Sequence, residues 1–130
     1  MSMTVRYQKG TRFEAQSRTH TVVVDQPESE DGTDQGMTPV ELFVASLASC
    51  IAYYASMFLS RHIPDLTGLE VQTTWHYSDN PHRIGGMHFI ISVPHVLTEA
   101  EKRGLLRTVE HCTVENTIKH NPSISIEVKA

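Results

Sequence analysis

The stretch from Leu42 to Ser60 carries no charged residue, and it constrains the fold more than any other part of the chain. It is entered through Thr38-Pro39-Val40-Glu41, a capping box with proline at the first helical position. Thr38 can accept from the backbone N–H of Glu41, and the Glu41 carboxylate can reach back. The pattern predicts a helix from Pro39 to about Arg61 or His62, with Pro64 beyond its end. A membrane span needs about 20 apolar residues. This run is interrupted by Ser46, Ser49, Ser56 and Ser60, is rich in alanine, and has no second copy in the chain. A central helix, buried nearly all round, is the expectation.

The flanking segments read as strands and shorter helices. Thr4–Tyr7, Arg12–Ala15 and Thr21–Val24 are β-prone, with Lys9-Gly10 at a turn. Residues 25 to 37 are polar and acidic and read as a solvated connection. Residues 69 to 77 and 87 to 94 alternate as two further strands, linked through Asn80-Pro81 and Gly85-Gly86. A second capping box, Thr98 to Glu101, opens a helix with Leu105, Leu106 and Val109 at helical spacing. A short helix over Thr113 to His120 stops at Asn121-Pro122, and Ser123 to Lys129 alternates as a closing strand. The order βββ-α-ββ-αα-β is that of an α+β fold with mostly antiparallel pairing. At 130 residues the whole chain reads as a single domain, 1–130.

Composition excludes several functions. A net charge of −4, with no cluster of lysine and arginine, argues against a nucleic-acid partner. Two cysteines far apart do not make a secreted disulfide scaffold. The N-terminus shows no apolar signal region, so a cytoplasmic location without membrane attachment is expected. Eight histidines occur, but none at zinc-motif spacing, so no metal or cofactor is expected.

Two residues can carry chemistry: Cys50, inside the uncharged helix, and Cys112, just past the second one. Both can be inert core residues, because free cysteine packs as a small apolar group. They can also be an attacking thiol and its resolving partner. Only a thiolate attacks, so something must lower a pKa of about 8.5. Cys50 lies roughly 18 Å along the helix from Thr38, beyond the reach of the N-terminal dipole. A reactive Cys50 therefore needs a cation from another element, with Arg18 and Arg12 as candidates. Cys112 stands at the start of the short helix, which makes it the easier thiolate on helix geometry alone.

Three segments together resemble the family of osmotically inducible protein C (OsmC) and organic hydroperoxide resistance protein (Ohr). They are Thr38-Pro39-Val40-Glu41-Leu42-Phe43-Val44-Ala45-Ser46-Leu47-Ala48-Ser49-Cys50, then Cys112-Thr113-Val114-Glu115-Asn116-Thr117-Ile118, and more loosely His20 to Pro27. The resemblance implies an OsmC-like fold in an intertwined homodimer, with long helices central and sheets outside. It implies a thiol-dependent peroxidase in oxidative stress defence. Cys50 would attack a peroxide and become a sulfenic acid, and Cys112 would condense with it to a disulfide. A dithiol reductant, lipoylated or thioredoxin-like, would restore the thiols. Arg18 and Glu41 are the further catalytic candidates. The hydroperoxide-resistance branch has glutamate directly after the proline, where this chain has Val40, and one residue turns a helix by about 100°. The chain is thus nearer the general OsmC-like branch, and a capping role for Glu41 stands beside the catalytic one. The alanine-, tyrosine- and phenylalanine-rich helix favours organic hydroperoxides. The alternative is a non-enzymatic or small-ligand-binding OsmC-like protein with unreactive thiols.

Overall fold

The computed structural model describes residues 1–130. Five strands and three helices run in the order β1 (Thr4–Lys9), β2 (Arg12–Ser17), β3 (His20–Val24), α1 (Pro39–Leu59), β4 (Glu70–Ser78), β5 (Arg83–Ser92), α2 (Glu99–Val109) and α3 (Thr113–Lys119). The fold is α+β with antiparallel sheets. The chain divides into two compact units, residues 1–45 and 46–130.

In the first unit β1, β2 and β3 form a meander, with Val5 opposite Ala15 and Ala15 opposite Val22. Gly10 takes φ +58° at the β1–β2 turn, a left-handed conformation that suits glycine. The connection from 25 to 37 is not the solvated loop expected of its acidic composition. Asp25 is fully buried within it. The hydroxyls of Thr11 and Thr33 donate to its two carboxylate oxygens, as do the backbone N–H groups of Gln26 at 2.8 Å and Gln35 at 3.1 Å. A buried carboxylate is tolerable only when its lone pairs are satisfied, and here the loop is wound around one.

In the second unit the residues of α1 from 46 onward pack against β4, β5, α2 and α3. Ala55, Leu59, Ile63 and Leu105 form one cluster, and Leu47, Ile51 and Cys112 form another. Strand β5 begins four residues before the expected Met87, so Gly85 and Gly86 lie within it. A Cβ on Gly86 would stand 2.4 Å from His76 Cε1, so the exposed imidazole would have to move aside for a larger residue. Helix α2 has its full capping box, with Thr98 accepting from Glu101 N–H and Glu101 accepting from Thr98 N–H.

Two expectations fail within this single chain. Helix α1 is not enclosed: Val44, Leu47, Ile51, Ala55 and Leu59 make one buried stripe at spacings of three and four. Phe43, Tyr53 and Met57 stay exposed, and only 28% of its most apolar window is buried. By length and composition alone the helix could cross a membrane. The second failure is the closing strand. Residues 121–130 form no strand and are exposed throughout, because no neighbour in the chain supplies a ladder.

Candidate functional site

Both cysteines belong to the second unit, and they meet. Cys50 stands on α1, one position from the buried stripe, and is half-buried. Cys112 is fully buried and caps the N-terminus of α3, where its sulfur accepts from Glu115 N–H at 3.5 Å. Cys50 packs against the buried cluster that contains Cys112. Neither is in a disulfide. The surroundings are apolar: Leu47 and Ile51 from α1, Met87 and Phe89 from β5, and Val109 and Ile118 from the last helices.

Burial pushes the Cys112 thiol up, and the Cys50 thiol beside it adds to the rise. The backbone N–H groups of Glu115 and Val114 pull the other way and lose. This overturns the expectation that Cys112 would be the easier thiolate. A charged sulfur cut off from water costs more than two amides at a helix start return. The two thiols therefore differ in kind: one reachable from solvent, the other buried and held protonated at neutral pH.

The other candidate side chains lie in the first unit. Glu41 is committed to its helix: its carboxylate accepts from Thr38 N–H, and Thr38 Oγ1 accepts from Glu41 N–H, both at 3.1 Å. Arg18 occupies the β2–β3 turn with φ 54° and is exposed. Arg12, at the start of β2, has a buried Nε with no hydrogen-bond partner. An orphaned buried donor of this sort costs about 1–3 kcal/mol. No group of three or more histidine, cysteine, aspartate or glutamate side chains is placed to hold a metal ion.

Sequence reasoning missed the wall of the thiol site that β5 supplies. The signal was present as the alternation of Met87, Phe89 and Ile91. Beside that wall, and sharing Phe89 and Ile91 with it, a cavity of about 470 Å³ opens between β5 and α2, with Val93, Leu97, Leu105 and Leu106 on its sides.

The OsmC-like protein family model matches residues 32–127, a span that includes both cysteines. Solved structures share the fold at low identity. A Psychrobacter arcticus protein named for an osmotic stress induced and detoxification response is 22% identical, with a TM-score of 0.80 over 90% of this chain and 87% of the other. An OsmC-like protein from Mycoplasma pneumoniae is 20% identical, with a TM-score of 0.72 over 92% and 87%. An organic hydroperoxide resistance protein OsmC from Legionella pneumophila is 16% identical, with a TM-score of 0.67 over 92% and 89%. No curated protein matches the chain.

Proposed function

The chain belongs to the OsmC-like protein family, and from that premise we propose that it is a cysteine-based peroxidase that reduces organic hydroperoxides as a homodimer. The observation that carries the reading is the contact between a reachable Cys50 and a buried, protonated Cys112. The Cys50 thiolate attacks one peroxide oxygen. The O–O bond breaks, the second oxygen leaves as the alcohol after taking a proton, and Cys50 becomes a sulfenic acid. The Cys112 thiol then gives up its proton to the departing hydroxide as its sulfur attacks the Cys50 sulfur, so that water leaves and a disulfide forms. An external dithiol reduces the pair by exchange and is itself oxidised to a disulfide. Burial keeps Cys112 out of the first step, because a protonated thiol does not compete for the peroxide.

In this reading an arginine stabilises the Cys50 thiolate. Arg12 and Arg18 are the candidates. Glu41 serves as the helix cap. The exposed apolar face of α1, with Phe43, Tyr53 and Met57, supports association with a second copy. The apolar wall around the thiols favours hydroperoxides with hydrocarbon substituents over hydrogen peroxide. Peroxide consumption coupled to a dithiol tests the assignment: Cys50→Ser abolishes turnover, and unchanged turnover in that variant overturns it.

The cavity between β5 and α2 favours a second reading, an apolar small-ligand-binding protein with unreactive thiols. It predicts tight binding of an apolar fluorophore that Leu105→Trp blocks, together with no peroxide turnover.

A further inference from the structure

The wall behind the cysteines holds one polar atom that nothing satisfies. The Thr73 hydroxyl oxygen is closed to solvent and makes no hydrogen bond. Native folds rarely leave a buried hydroxyl in that state without a use for it.

The register of the second sheet fixes where Thr73 stands. Alternate residues of a strand share one face, so Val71, Thr73 and Trp75 of β4 face the same way. Val71 lies opposite Ile91, Thr73 opposite Phe89 and Trp75 opposite Met87. Val71, Met87, Phe89 and Ile91 all pack against the cluster that contains Cys112, as do Cys50 and Tyr54. Thr73 is therefore surrounded by residues of the thiol wall. Valine has nearly the same shape, and its methyl group needs no partner, so a hydroxyl at this position carries a cost that packing does not require.

The proposed reaction brings a partner. A hydroperoxide that reaches Cys50 carries two oxygens out of water, and Val71, Met87, Phe89 and Ile91 offer them no donor. A threonine hydroxyl can both donate and accept. Met87, diagonal to Thr73 across the strand pair, is unbranched and can shift to admit the O–O group.

We propose that the Thr73 hydroxyl hydrogen-bonds the hydroperoxide at Cys50 and donates to the oxygen that departs. The Cys50 thiolate forms an S–O bond to the terminal oxygen. The O–O bond breaks, and its electron pair stays on the oxygen that bears the hydrocarbon. Charge grows on that oxygen, so the donated bond strengthens in the transition state. Thr73 keeps its proton; the departing alkoxide takes one from solvent and leaves as the alcohol. The inference rests on the peroxidase reading of the thiols and adds the group that receives their substrate.

Two variants of the full chain test it: Thr73→Val removes the hydroxyl and Thr73→Ser keeps it. Thr73→Val lowers kcat/KM for cumene hydroperoxide about tenfold without lowering Tm. Thr73→Ser stays within about threefold of the parent. Alkylation of Cys50 by iodoacetamide needs no peroxide contact, and Thr73→Val leaves its rate within about twofold. Peroxide and alkylation rates that fall together overturn the proposal, because the change then lies in the thiol itself. Equal losses in the valine and serine variants overturn it too. Parental kcat/KM in Thr73→Val overturns this inference alone, whereas a parent that alkylates at Cys50 but consumes no peroxide overturns the thiol reading with it.

Discussion

Cys112 is buried in the cluster against which Cys50 packs, although 62 positions separate the two in the sequence. The pairing comes from α1 and the start of α3 converging beside β5. It predicts unequal reactivity. Iodoacetamide at neutral pH should label Cys50 first, and Cys112 only after denaturation, as read by peptide mass. Equal labelling of the native protein would mean that burial does not protect Cys112.

Glu41 can be separated from the chemistry by one conservative change. Glutamine serves at the third position of a capping box as well as glutamate does. Glu41→Gln should therefore leave peroxide turnover unchanged and shift stability by less than about 0.5 kcal/mol. A large loss of kcat/KM with intact stability would instead give the carboxylate a catalytic role.

Asp25 sets an acid limit on stability. The Thr11 and Thr33 hydroxyls, assisted by the Gln26 and Gln35 amides, hold its carboxyl well below the usual carboxylate range, against the opposing effect of burial. A group whose folded pKa lies below its unfolded value contributes stability that is fully present above the unfolded value, about 3.9, and is lost as pH falls toward the folded one. Asp25→Asn should lower Tm by roughly 5–10 °C at pH 7 and flatten the decline below pH 4. An unchanged acid limb in thermal melts would show that other carboxylates set it.

Gly32 is a packing requirement of the same loop. A Cβ there would lie 1.9 Å from the carbonyl oxygen of Gln26, a backbone atom that cannot swing aside. Gly32→Ala should cost at least about 2 kcal/mol in urea denaturation. A neutral outcome would mean that the loop relaxes without disturbing Asp25.

The sequence revealed these features unevenly, for physical reasons. The helices were legible because capping boxes and a proline at the first turn are local signals, as at Thr38–Glu41 and Thr98–Glu101. The meander followed from β-prone runs and the turn at Gly10. Asp25 was missed because its acidic neighbours are solvated, and only the tertiary positions of Thr11 and Thr33 set it apart. Cys112 was misjudged for a related reason: a helix start is visible in sequence, but the burial that outweighs it is not. The tail has the pattern of a strand without a partner in its own chain, so alternation alone could not tell whether it pairs.

The most direct test of the central claim is intact-protein and peptide mass spectrometry of the reduced protein after one equivalent of cumene hydroperoxide. The account predicts loss of two hydrogens, about 2 Da, with a linked Cys50–Cys112 peptide, and in Cys112→Ser a gain of one oxygen, about 16 Da, on Cys50. Two free thiols and an unchanged mass, with the peroxide unconsumed, would contradict it.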